Sequence, residues 1–277
     1  MRPSRLRIAG LVAINAIGAL AFVWPFLVPR SMEVGGHAID APLVLVALLA
    51  LLTVVLFVDL GRGGMGPKAI ALIAVLGAAM VALRLPGFVA GFSAMFIVVL
   101  VAGNAFGPGF GFLLGAVGMF ASGLFVGGLG PWLPFQMVAM GWVGLGAGLL
   151  PRGGDWRRRL GALAAYGFVI GYLFGAVMNL WSWPFIAAGT SIGWVPSAGA
   201  AENLHHYIAY YLATSFGWDT FRAVGNVVMV LAVGRPLLGA LDRGARRMAF
   251  RAGPAGGSDQ AIEPSASSVA EEIAAIG

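Results

Sequence analysis

The chain has 277 residues, 60% of them hydrophobic and 10% charged, with a mean hydropathy of +0.91. A water-soluble domain cannot cover itself with so little polar surface, so the bilayer is its solvent. The net charge of +6 does not point to nucleic acid, because the basic residues stand in short clusters between apolar runs rather than along one face. Anionic lipid headgroups are their expected partners. With no cysteine, the chain has no disulfide, thiolate metal site or cysteine nucleophile.

A helix needs roughly 20 apolar residues to cross the hydrocarbon, and eight such stretches follow one another. The first, 8–28, comes after Arg2, Arg5 and Arg7; it is longer than a signal-peptide core, and no small-x-small cleavage site precedes Arg30. The second is 41–60. The third, 68–85, and fourth, 88–106, are parted by Arg84-Leu85-Pro86-Gly87, and the fifth, 109–128, follows Gly107-Pro108-Gly109. The sixth, seventh and eighth are 132–150, 160–182 and 220–241. Between the last two lies the longest segment outside the membrane, 184–219, whose His205-His206-Tyr207-Ile208-Ala209-Tyr210-Tyr211-Leu212 reads as a short interfacial helix. From Arg251 the chain is Gly, Ala, Pro and Ser with scattered acids, a composition that does not order itself.

An even number of spans with both termini in the cytoplasm leaves only Arg30, Arg84 and Arg222 outside, while Arg235 snorkels from the inner end of the last helix. An odd number destroys this asymmetry. Small residues recur every fourth position at Gly107, Gly111 and Gly115, at Gly144 and Gly148, and at Gly167, Gly171 and Gly175. Such stripes let helices approach closely where no hydrophobic effect drives association. Ala74, Ala78 and Ala82 form a similar stripe, open either to internal packing or to a second membrane subunit.

Catalytic chemistry is not expected. All three histidines fall in outer loops, so Gly91-Phe92-Ser93-Ala94 has no base at depth to make a serine protease. There is no G-x-x-x-x-G-K-[ST] loop, so any ATP hydrolysis belongs to another subunit. Asp59 lies at a span's edge with no acid deeper, which argues against proton or sodium coupling. His205 and His206, adjacent on one helix, point too far apart for a metal site, and no cofactor is called for.

Polar and aromatic groups gather instead at the outer helix ends. Phe88, Phe92 and Ser93 open the fourth span, Trp132 and Gln136 the sixth, and Asp219, Arg222 and Asn226 the eighth, while Asn179, Trp181 and Trp183 close the seventh. Stacking faces and neutral hydrogen-bond groups at one depth suit an uncharged, ring-bearing ligand, with Phe92, Trp132, Gln136, Asn179, Trp181 and Asn226 as its contacts. An interfacial belt accounts equally for Trp24, Trp194 and Trp218, and bonds among the amides equally for Gln136, Asn179 and Asn226. Asp219 reads as a cap of the eighth helix, with Arg222 one turn on.

Three segments carry a resemblance: Phe106-Gly107-Pro108-Gly109-Phe110-Gly111-Phe112, Gly130-Pro131-Trp132-Leu133-Pro134-Phe135-Gln136, and Tyr172-Leu173-Phe174-Gly175-Ala176-Val177-Met178-Asn179-Leu180-Trp181. Over 67–245 the chain resembles the substrate-binding S component of energy-coupling factor (ECF) vitamin transporters. The resemblance implies a six-helix binding bundle over 67–245; the two transmembrane helices in 1–66 exceed that core, and with the disordered cytoplasmic tail, 246–277, expected from composition the whole reads as an all-α integral membrane protein. It implies capture of a vitamin at the outer face, and a transmembrane coupling subunit with two cytoplasmic ATPases as partners. It assigns Ala74, Ala78 and Ala82 to docking that subunit. The Gly-Pro-Trp-x-Pro-x-Gln pattern at 130–136 is similar to that of S components associated with cobalamin or its precursors, whereas the N-terminal histidine of the cobalt and nickel members is missing from Met1-Arg2-Pro3. A self-sufficient carrier or channel, or a scaffold without ligand, remain the alternatives on residues alone.

Overall fold

The computed structural model describes residues 5–27, 67–85, 93–195 and 198–251. The expected second span, 41–60, and Phe88 and Phe92 lie outside the described residues. All regular structure among the described residues is helical: α1 (Arg5–Leu27), α2 (Pro67–Arg84), α3 (Met95–Phe106), α4 (Pro108–Ser122) with a π-helical extension Gly123–Gly127, α5 (Leu133–Leu149), α6 (Trp156–Ile186), α7 (Ala200–Thr214) and α8 (Phe216–Arg251). Met1–Asp242 forms one compact unit, and Arg243–Gly277 counts as a second.

The short α3 is the centre of the bundle. Every residue from Met95 to Asn104 is buried, which is why its sequence is apolar on all faces rather than on one stripe. In the described part of the expected fourth span, helix begins at Met95, after Ser93 and the turn residue Ala94. At its other end Gly107 adopts φ +104°, a left-handed conformation that favours glycine, and its N–H closes on the Gly103 carbonyl at 2.8 Å. Pro108, whose missing N–H costs nothing at a helix start, opens α4 at once.

Close backbone approach explains the glycine stripes. A Cβ on Gly111 or Gly103 would collide with the Gly144 carbonyl, one on Gly115 with the Met140 carbonyl, and one on Gly148 with Pro108. So α3, α4 and α5 are joined main chain to main chain. The Gly167, Gly171 and Gly175 stripe of α6 lies on Asn226, Ala223 and Asp219 of the antiparallel α8, meeting main chain at Ala223 and side chains at Asn226 and Asp219. In α2 the buried face is Ile73, Gly77 and Met80, with Met80 seated on Gly118 of α4. Its Ala74, Ala78 and Ala82 are exposed, so this stripe, unlike the glycines, does not hold the bundle together.

Helix α1 packs into the same core. Phe22, buried, meets Phe135 at 5.3 Å and Trp142 at 5.5 Å between ring centroids, and Gly18 sits against Val138. Trp194 is buried and donates to the Pro25 carbonyl at 2.8 Å, so it is not part of an interfacial belt; Trp218 is 56% exposed. The helix expected around 205–212 is present and longer, and its Asn203, Tyr207 and Tyr210 face inward. Trp183, fully buried, donates to the Ile192 carbonyl and stacks edge-on against Tyr207. Arg84, expected in a loop, turns inward to donate to Ser122 Oγ at 2.9 Å, beside the π-helical turn whose Gly127 leaves it room.

Candidate functional site

The end of the bundle holding the C-terminal half of α6 collects most of the polar and aromatic groups named from sequence. Phe174, Met178, Trp181 and Phe185 follow at helical spacing and form one stripe. Trp181 stacks on Phe135 of α5 at 5.2 Å, and Phe174 meets Phe96 of α3 edge-on at 5.1 Å. The indole Nε1 of Trp181 is buried and has no hydrogen-bond partner among the described residues. The hydroxyl of Ser93 is likewise buried and unpartnered there. Gln136, next to Phe135 on α5, is half-buried.

Behind the stripe Asp219 and Arg222, one turn apart in the sequence, are joined by Tyr211 and by α6 into a charged network. Asp219 is 2% exposed, pairs with Arg222 and accepts from the Tyr211 hydroxyl at 3.0 Å. Burial, then the neighbouring Asp219, pushes that hydroxyl's pKa above its ordinary range, so it stays protonated and donates. The Arg222 guanidinium also donates to the Gly171 carbonyl at 3.2 Å and lies 5.3 Å from the Phe174 ring centre. The expected cap is corrected here. Because α8 begins at Phe216, Asp219 falls within its first turn, and the missing side chain of Gly175 lets the carboxylate turn into α6.

The six residues named as ligand contacts do not form one cluster. Trp181 lies on the Phe135 ring of α5, and Gln136 is the next residue along α5, half-buried. Asn179 donates to Ser215 Oγ at 2.6 Å, tying α6 to the α7–α8 junction. Trp132 is 38% exposed, with its ring against Gly130. Asn226 is buried and donates to the Gly167 carbonyl at 2.9 Å, level with a residue about 21 Å from Trp181 at 1.5 Å per helical residue. None of the described amides bonds to another; of the two alternatives left open for them, bonding among themselves is not seen, and Asn179 and Asn226 are tied separately to serine and backbone. Phe92 lies outside the described residues. Sequence reasoning passed over Phe96, Phe135 and Phe174, although the four-residue step from Phe174 to Met178 could have shown the stripe.

A polytopic helical membrane protein is thus defined, with an aromatic, partly polar cluster at one end of its bundle and arginines at the other. The chain belongs to the substrate-specific components of ECF transporters: the family described as "ECF transporter, substrate-specific component" matches residues 68–234, well over half of the chain. Members of this family are substrate-binding subunits of transporters, not enzymes, and membership implies a small-molecule substrate and association with an ECF module of transmembrane subunit and ATPases. Comparison with curated proteins and with solved structures gives no match.

Proposed function

We propose that the chain captures a vitamin or related micronutrient, with cobalamin or a precursor as the first candidate, at the outer ends of α3, α5 and α6. The observation that carries this reading is the buried, unpartnered Trp181 N–H beside the Phe135 ring. A donor left without a partner in so apolar a place is costly, and a ligand amide or carbonyl oxygen would satisfy it while a ring lies along the aromatic stripe. Gln136, half-buried beside Phe135, supplies a neutral amide at the same level. The resemblance of 130–136 to the cobalamin-associated members supports the choice of ligand.

Mass spectrometry of small molecules retained after mild detergent extraction, followed by titration with cobalamin, tests the proposal. Replacing Trp181 by Phe keeps the stack and removes the N–H; we expect affinity to fall by about tenfold, one hydrogen bond to a buried partner. Unchanged affinity would overturn the assignment. A preparation empty of ligand and inert to cobalamin would favour the scaffold.

The exposed Ala74, Ala78 and Ala82 are the docking face for the transmembrane coupling subunit in this proposal. A face this bare admits a second helix closely, and its own bundle does not use it. Ala78→Trp is expected to abolish co-purification with the coupling subunit and ATPases, and uptake with it, while leaving ligand affinity unchanged. Intact uptake would refute docking through this stripe, and uptake without the ATPases would favour a self-sufficient carrier.

A further inference from the structure

At the opposite end of α6 the chain forms a half-open cavity of about 300 Å³ between α6, α8 and the loop after α5. Arg159 and Trp181 are separated by about 33 Å of helix at 1.5 Å per residue, so the two ends occupy opposite headgroup layers of a bilayer. Arg152, Trp156, Arg159, Arg235, Gly239 and Asp242 line the cavity.

Three guanidinium groups thus face one carboxylate, and that carboxylate is already engaged. Arg159 holds Asp242 through two bonds, of 2.6 and 3.1 Å, and donates a third to Asn104 at 2.6 Å. It is a structural tie between α3 and α8. Arg152 and Arg235 have no ion pair among the described residues. Arg152 donates from one nitrogen to the Gly148 carbonyl at 2.7 Å, and Arg235 lies over the Trp156 ring at 4.3 Å. Both are exposed at the cavity rim. The indole thus holds one guanidinium in place while its N–H groups remain available, and the planar fork of arginine matches the oxygens of a phosphate.

We infer that this cavity binds a phosphate-bearing anion, held by Arg152 and Arg235 with Arg159 as the fixed wall. The phosphate is that of an anionic lipid headgroup or of a soluble phosphate. The inference is independent of what the Trp181 cluster binds.

Native mass spectrometry of the full chain from mixed micelles tests it, with phosphatidylglycerol and phosphatidylcholine as probes. Wild-type protein should retain phosphatidylglycerol in preference to phosphatidylcholine. Retention should fall by about tenfold in Arg152→Gln/Arg235→Gln, as loss of a charge-assisted pair implies. Arg158→Gln, an exposed arginine outside the cavity, should change nothing. Should the double variant not fold, Gly239→Leu fills the cavity with every guanidinium intact and should lower retention alike. Competition by millimolar inorganic phosphate would assign the site to a soluble anion, and its failure to compete would assign it to the headgroup; either supports the site. Equal retention of the two lipids, retention unaffected by Gly239→Leu, or an equal loss in Arg158→Gln would overturn it.

Discussion

Asp219 shows how one glycine decides the fate of a charge inside the bundle. A carboxylate taken out of water is tolerated only with partners, and here Arg222 and Tyr211 supply them while Gly175 provides the space. Removing one partner strands the other. Asp219→Leu is therefore expected to cost about 3–5 kcal/mol by leaving Arg222 uncompensated, read as a lower melting temperature and loss of the monodisperse species in size-exclusion chromatography. The double change Asp219→Leu/Arg222→Leu should recover most of that loss, since it leaves no buried charge. A single variant as stable as wild type would show that the pair contributes nothing to the fold.

At the scale of elements, the helix contacts rest on glycine carbonyls as much as on side chains. The Gly111 carbonyl stands where a Cβ on Gly144 would go, and the reverse holds for the Gly144 carbonyl and Gly111. Backbone cannot swing aside as a flexible side chain can, so Gly144→Ala should destabilise by about 1–3 kcal/mol or more, measured as a drop in melting temperature. Gly153→Ala, in a loop with open space around it, is the control expected to melt as wild type does. These stripes were legible because fourfold spacing of small residues has a direct geometric meaning. The alanine stripe was readable only as a choice between two partners; its exposure required coordinates. Among the described residues hydropathy located the helices but not their ends: α6 continues to Ile186 and α8 starts at Phe216, because buried aromatic contacts such as Trp183 on Tyr207 extend order beyond the apolar run. The amides were left open between ligand contact and bonds among themselves for a related reason. Asn179 and Asn226 each found a tie to serine or backbone on a neighbouring helix, and composition does not reveal which partner an amide meets.

Across the whole molecule, the described arginines divide unevenly between the two ends of the bundle. Arg152, Arg157, Arg158, Arg159 and Arg235 stand at the start of α6 and the facing part of α8, whereas Arg84 and Arg222 near the other end are both turned inward against Ser122 and Asp219. An arginine that satisfies a buried partner contributes little to the bias that sets orientation, while exposed clusters close to helix ends set it. The basic end should then be cytoplasmic and the Trp181 end external, which is the orientation that ligand capture from outside requires. The absence of cysteine makes the test clean, since a single introduced thiol is the only one present. Gly153→Cys, in the loop before α6, and Ala201→Cys, exposed on α7, are to be labelled in intact cells with a membrane-impermeant maleimide. Ala201→Cys should label at once and Gly153→Cys only after permeabilisation. The opposite pattern would invert the molecule, placing the aromatic cluster in the cytoplasm and ruling out uptake through it. Labelling at both positions in intact cells would mean that the two loops do not lie on opposite sides, contrary to a single crossing by α6.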